Sequence, residues 1–438
     1  MKNKRIIPFL LLLLSGAVII LTVILILSSL RKQPDSTLRS DTGERASASN
    51  SRGNQEEPVV PSSEEGTEPD TDLEPAEPQN TPDQPSPEDP VHQRALSILN
   101  KMTVDEKLCQ LMIVNPGTIT GVQPTREAGE ISKKALSAYP VAGFSFGAES
   151  LSDREQVTSM LNGFQQMAPL GLFFCVDEEG GTVSRVMRNP NLGTTKIDSM
   201  FSYRDQGTDI ARNNAFIIGT DLISLGFNVD FAPVADVWSN PDNRVIGSRA
   251  YSDSFQQAAE LIPAAVEGFH SAGILCTIKH FPGHGSTETD SHKGLPRVDK
   301  SWEELWQTEL LPFRAGIAAG ADMVMIGHLL LPKLDPDYPA SLSQIIVTDH
   351  LRGKMGFTGV VITDSLGMGA LTEWTETERC VLAIEAGCDL LLGVRDVSGT
   401  LQGLRSSLTE GRLSEERINE SVLRILELKL RSGILPMQ

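Results

Sequence analysis

A chain of 438 residues with 40% hydrophobic and 22% charged side chains can bury one large α/β core or two average domains. Its formal net charge of −19 argues against a nucleic-acid binder, which would need a basic patch. The five cysteines (Cys109, Cys175, Cys276, Cys380 and Cys388) are scattered, odd in number and contain no Cys-x-x-Cys pair, which argues against a disulfide framework. Cys175 and Cys276 fall inside apolar runs, where a thiol reads as a small buried hydrophobe.

Residues 1–32 form the first segment. Lys2, Lys4 and Arg5 precede an apolar run over residues 6–30, closed by Arg31 and Lys32. As a helix that run spans roughly 37 Å, more than a hydrocarbon core of about 30 Å. No Ala-x-Ala cleavage site and no lipid-accepting cysteine follows it, so it reads as an uncleaved signal anchor, with cleavage near Ser28–Ser29 as the alternative. The basic cluster at its start favours a cytoplasmic N-terminus, although Arg31 and Lys32 blunt the asymmetry.

Residues 33–90 carry a net charge of −12, fifteen acidic side chains against Arg39, Arg45 and Arg52, and nearly lack large apolar residues. Such a segment cannot bury enough surface to offset its ordering entropy. It is expected to be a disordered linker, either a stalk or a spacer of no fixed length.

From residue 91 to 438 the texture is that of a folded catalytic region. Eight apolar runs read as strands: Leu108–Asn115, Val141–Gly147, Gly171–Glu178, Phe227–Asp236, Ile274–Phe281, Met323–His328, Gly359–Asp364 and Leu390–Val394. Helical patterns fall between many of them, including Asp205–Leu225, Ser254–Ala272, Trp302–Ala319 and Thr375–Ala386. Alternating strands and helices imply a parallel sheet, and eight such strands predict an α/β fold closed as a (β/α)8 TIM-type barrel. An open doubly wound sheet is the alternative, but no Gly-x-Gly-x-x-Gly follows the first strand. Polar residues cluster at the strands' C-terminal ends: Asp177, Lys279–His280, His328 and Asp364. In a barrel those ends share one face, where active sites form.

The densest candidate is Lys279-His280-Phe281-Pro282-Gly283-His284-Gly285 running on to Asp290-Ser291-His292, which holds three of the seven histidines. Pro282, Gly283 and Gly285 turn the strand into a shaped loop. Asp290 and His292 are two apart, on one side of an extended segment, and a carboxylate beside imidazole makes an acid/base group near neutrality. His280, His284, Asp290 and His292 also read as possible metal ligands, or as histidines that only shape the loop. Asp364, in Thr363-Asp-Ser-Leu-Gly-Met368-Gly-Ala370, could be a helix N-cap or a catalytic carboxylate. The third candidate is Asp177-Glu-Glu-Gly180-Gly181-Thr-Val-Ser-Arg185, whose double glycine permits a tight turn under bound substrate.

Together these motifs resemble glycoside hydrolase family 3, specifically its β-N-acetylglucosaminidase (β-N-acetylhexosaminidase) branch, over roughly residues 95–435. The resemblance implies a (β/α)8 barrel, Asp364 as nucleophile, His292 as general acid/base and Asp290 as the partner that polarises it. It further implies that Asp177, Arg185, Arg249, Lys279 and His280 bind the sugar, and that no metal or cofactor takes part. Glu178 stands where the family commonly has Gln and Thr182 where it has Arg, which puts contacts at the edge of the first subsite in question. The expected substrate is a terminal β-linked N-acetylglucosaminide in cell-wall (peptidoglycan) fragments, muropeptides included. The catalytic domain is expected to be monomeric, without nucleic acid, and held outside a bacterial cell membrane by the single-pass N-terminal anchor. Rival expectations are a phosphorylase that uses phosphate as acceptor, a catalytically silent wall-binding module, and a β-glucosidase. Family 3 β-glucosidases generally take their acid/base from a second C-terminal domain, whereas only about seventy-four residues follow Asp364 here.

Overall fold

The computed structural model describes residues 89–438, apart from Thr289, Asp290, His292 and Lys293. The segments read as a signal anchor (residues 6–30) and as most of the acidic linker lie outside the described residues. Among those described, no helix is long and apolar enough to cross a membrane.

All eight expected strands are present: β1 Met112–Val114, β2 Gly143–Ser145, β3 Phe173–Val176, β4 Val229–Asp230, β5 Leu275–Phe281, β6 Met323–Ile326, β7 Val360–Thr363 and β8 Leu391–Leu392. Each pairs in parallel with its neighbour, in the order β7-β6-β5-β4-β3-β2-β1-β8. The ring closes where Leu390, just before β8, bridges Ile362 of β7 in parallel, with Thr363 N–H donating to the Leu390 carbonyl at 3.0 Å. The architecture is therefore the expected parallel eight-stranded α/β barrel. Nearly every strand residue is buried, as expected for a parallel sheet covered by helices outside and filled by side chains within.

The strands are shorter than the apolar runs that contain them, β4 most of all, and two further differences from the sequence reading have a local cause. Leu108 and Cys109 are helical, because Thr103 and Glu106 form a reciprocal capping box that starts a helix over Val104–Cys109. The expected helix Trp302–Ala319 is two helices, Trp302–Trp306 and Leu310–Ala318. Pro312 has no N–H to donate four residues back, so an unbroken helix would lose a bond there. Starting the second helix at Leu310 puts Pro312 in its first turn, where no donor is needed.

The helices that carry the site's strands are well delimited. Ser254 caps Phe255–Ala272, and Gly273 ends it at φ 83°, delivering the chain into β5. β5 is the longest strand, and a register shift between Ile278 and Phe281 against β6 falls at Lys279–His280. All five cysteines are buried and unpaired.

Candidate active site

A polar cleft of about 550 Å³ opens at the C-terminal ends of the strands, bordered by Asp177, Glu179, Arg249, Lys279, His280 and Asp364 among others. Asp177 lies one residue beyond β3, Lys279 and His280 are near the end of β5, and Asp364 follows β7. Strand direction alone thus brings together residues separated by up to 187 positions.

Lys279 is the hub. Its ammonium, 1% exposed, donates to Asp177 Oδ1 at 2.7 Å and lies 2.6 Å from Glu179 Oε1. Burial disfavours its charge, but Asp177 and Glu179 outweigh that and hold its pKa above the ordinary lysine value. Arg249, from the turn Gly247–Arg249, grips Glu179 with two bonds of 2.8 Å and donates to the Val245 carbonyl at 2.9 Å. Glu179 is fully buried, yet Arg249 and Lys279 overcome the burial penalty and keep its carboxyl far below the usual range. Arg185 stands farther off, 3.8 Å from Asp177 Oδ2, and is partly exposed.

Asp236 organises the next layer. Its Oδ2 accepts from His280 N at 3.1 Å and pairs with His280 Nδ1 at 2.6 Å, while Oδ1 accepts from His284 N at 2.6 Å. Burial works against its charge, but the His280 ring and the His284 backbone N–H lower its pKa on balance. This clamp fixes the His280 ring with Nδ1 turned to Asp236 and Nε2 on the side of Arg249, 3.4 Å from Nη2. His284 is used up differently: Nδ1 meets Thr287 Oγ1 at 2.7 Å and Nε2 meets Ser291 Oγ at 3.2 Å. Burial keeps it neutral, so it shapes the loop and has no free ring nitrogen for a metal. At Gly285 any Cβ would fall 1.7 Å from the Val237 carbonyl oxygen, which is why that position is glycine.

Asp364 N–H donates to the Ile326 carbonyl at 2.8 Å, which extends β7 pairing to the catalytic candidate itself. Burial opposes its charge, but His280, the Ser365 N–H (2.7 Å from Oδ1) and Lys279 together hold its pKa below the ordinary value. Asp364 is therefore ionised at neutral pH. His328 supports this turn from inside the barrel: its Nε2 donates to the Ser365 carbonyl at 2.9 Å and Nδ1 faces the Ser341 hydroxyl at 2.7 Å. Fully buried, it stays neutral.

Asp290 and His292 lie outside the described residues. Ser291, between them in sequence, is buried, borders the cleft, and accepts from the Ala370 N–H at 3.0 Å in the segment after Asp364. The double glycine does make a tight turn, with φ of 81° at Gly180 and 59° at Gly181. It packs against another chain segment, since a Cβ on Gly181 would meet Ser199 within 2.1–2.7 Å, and neither glycine borders the cleft. Glu179, Asp236 and Arg395 are site residues the sequence reading passed over. Asp236 ends the apolar run Phe227–Asp236, so the strand-end rule that singled out Asp177 points to it equally. Arg395 lies just past β8 and donates to the Gly367 carbonyl at 3.0 Å, a contact no local pattern signals.

A closed parallel barrel with an ionised carboxylate and a charge-paired cleft at its strand ends defines an enzyme of the (β/α)8 class. Residues 103–428 match the glycosyl hydrolase family 3 N-terminal domain, and the chain belongs to that family of glycoside hydrolases. Beta-hexosaminidase A of Pseudoalteromonas piscicida is 35% identical over 324 residues, 68% of this chain and 54% of that protein. The beta-hexosaminidase of Tolumonas auensis is 37% identical over 283 residues, 63% of this chain and 84% of its own length. A solved glycoside hydrolase family 3 beta-N-acetylglucosaminidase from Paenibacillus sp. superposes with a TM-score of 0.71 at 37% identity, over 76% of this chain and 63% of that one. The chain thus spans about half the length of the first of these relatives and less than two thirds of the solved chain.

Proposed function

We propose that the protein is a retaining β-N-acetylhexosaminidase that releases terminal β-linked N-acetylglucosamine. The observation that carries this reading is ionised Asp364 at the end of β7, sharing one cleft with the Lys279–Asp177–Glu179–Arg249 network. The relatives named beta-hexosaminidase support the choice of sugar.

In this reading the Asp364 carboxylate attacks the anomeric carbon as the bond to the departing oxygen breaks, and His292 gives that oxygen its proton. Water then attacks the glycosyl-enzyme, His292 takes the water proton, and Asp364 is freed. Asp290 orients and polarises His292, and both residues enter from the sequence motif. Asp177, Lys279, His280, Arg249 and Arg185 supply charged donors and acceptors for sugar hydroxyls and the acetamido group. A neutral imidazole in place of a second carboxylate repels no anion, so phosphate could replace water as acceptor. The anchor at residues 6–30 and the acidic linker to residue 90 would hold the catalytic barrel outside a bacterial membrane, where peptidoglycan fragments supply such β-linked sugars.

A chromogenic β-N-acetylglucosaminide tests the reading. Wild type should release the chromophore without phosphate, and Asp364→Asn should lose about 10⁴-fold in kcat while keeping its fold. Absence of release by wild type, or full activity in the variant, sinks the assignment. Strict phosphate dependence would convert the hydrolase into a phosphorylase.

A further inference from the structure

At the opposite end of the barrel, where the strands begin, three side chains of metal-ligating type converge outside the catalytic cleft. His270 occupies the last turn of the helix Phe255–Ala272, Cys276 is the second residue of β5, and Asp322 immediately precedes β6. One ligand atom from each lies within 4.8 Å of the others. His270 Nε2 is 2.9 Å from Asp322 Oδ2 and 3.8 Å from Cys276 Sγ.

We infer that His270, Cys276 and Asp322 form a binding site for a zinc-type divalent cation that staples this helix end to the starts of β5 and β6. The chemistry of the set fits: imidazole, thiolate and carboxylate are together the ligands of a borderline-soft ion. So does the geometry. A tetrahedral zinc ion at bond lengths of about 2.0–2.3 Å holds its ligand atoms roughly 3.3–3.7 Å apart, so small side-chain shifts bring the observed 2.9 and 3.8 Å into range. The same Asp322 oxygen accepts the Cys276 backbone N–H at 2.9 Å, which fixes the carboxylate beside the thiol.

The site also has one buried wall and one open one. Cys276 is fully buried, whereas the His270 side chain is 36% exposed, so an ion can approach from the solvent side. Binding exchanges the Cys276 thiol proton for a sulfur–metal bond, and that proton passes to solvent. His270 and Asp322 already form an ion pair without any metal. That pair explains the two of them, and core packing accounts for the Cys276 side chain, but neither calls for the thiol to lie beside the pair.

Cobalt(II) titrated into the reduced, purified full-length chain provides a direct readout. One equivalent should produce a sulfur-to-cobalt charge-transfer band in the near ultraviolet, and one equivalent of zinc should abolish it and raise Tm by roughly 2–4 °C. His270→Ala, at the exposed edge, should fold normally and lose both signals, as should Cys276→Ala, while Asp364→Asn should keep them. Glycosidase activity should be unchanged in His270→Ala. No sulfur-to-cobalt band in wild type overturns the inference, as does a band that survives in His270→Ala. Cobalt binding that lacks the sulfur band and is lost in cleft variants places the metal at the catalytic end, and also overturns it.

Discussion

The two ends of this barrel use buried charge in opposite ways. At the C-terminal end, Lys279, Glu179, Arg249 and Asp177 pair around an open cleft, so the network's outer members face whatever enters. At the N-terminal end the charges are turned inward to fasten helices. Asp389, fully buried just before β8, accepts from Arg352, Arg424 (3.1 Å), the Ser421 hydroxyl (2.7 Å) and the Val361 N–H (2.9 Å). Arg417 stands 3.9 Å away. Buried Lys429 reaches from the helix Glu415–Arg431 to Gln110 Oε1 and the Gly171 carbonyl, both at 2.9 Å, with no carboxylate paired to it among the described residues. A buried pair gains little net stability over apolar packing, but it is costly to break by removing one partner. The same ion-pair chemistry therefore serves binding at one end and positioning at the other.

Lys279→Met tests the cleft half of that contrast with the largest expected effect. Asp177 loses its tether, while Glu179 keeps both bonds to Arg249, so the fold should survive. A drop in kcat/KM of about 10³-fold is expected, on the scale of losing a preorganised charged donor. If kcat/KM per folded molecule hardly moves and Tm falls instead, the cleft network is structural like its counterpart below. Asp389→Asn is the mirror experiment. Three arginines lose their shared anion, and unfolding in urea should show a loss of about 3 kcal/mol, the low end for a broken buried pair because the arginines can rehydrate. Activity of the folded fraction should be unchanged; a fall in kcat would erase the proposed division between the ends.

The barrel itself was legible because parallel strands covered on both faces are continuous apolar runs, and all eight runs became strands. Their ends were less so: Leu108 looked like strand until the Thr103–Glu106 box made it helix, and Pro312 divided what periodicity joined. In the site, Asp177, Lys279, His280 and Asp364 converge as the strand-end rule and the motifs indicated. Arg249 is at the cleft too, but through Glu179, which had drawn no notice inside Asp177-Glu-Glu. The roles of His280 and His284 could not be told from sequence, since both sit in one motif. They are distinguished by Asp236, forty-four positions before His280, and by loop hydroxyls that occupy both ring nitrogens of His284. Such partners are set by tertiary approach, which no local spacing encodes.

Lys429 sharpens the comparison through pH. Burial lowers its pKa to about 7, against about 10.5 in the unfolded chain. Between those values the unfolded state binds more protons, so this group makes stability rise with pH, and its penalty is fully present below pH 7. Lys429→Met removes that dependence; burial holds the neighbouring Cys175 thiol well above its ordinary value, and losing the ammonium raises it further, so that thiol stays protonated over this range in both proteins. From pH 7 to 9 wild type should therefore gain on the variant by about 2 kcal/mol in urea unfolding. An equal gap at both pH values would show that Lys429 keeps an ordinary pKa despite its burial.

Glu178 is the smallest test and the one that crosses the divide. It lies between Asp177 and Glu179 in sequence, yet it does not border the cleft. Its buried carboxyl turns away, and Oε2 accepts the Arg185 and Val186 N–H groups at 2.9 and 2.7 Å. Burial raises its pKa, only partly offset by those bonds, so the folded state disfavours the charge. A carboxyl with a raised folded-state pKa loses stability as pH climbs through that value. Glu178→Gln keeps an acceptor for both N–H groups and has no charge to bury. The variant should match wild type at low pH and equal or exceed it at neutral pH, by no more than about 0.5 kcal/mol. Its KM for a β-N-acetylglucosaminide should be unchanged. A several-fold shift in KM would mean that Glu178 positions Arg185 for the sugar through those backbone bonds, and would place it with the cleft after all.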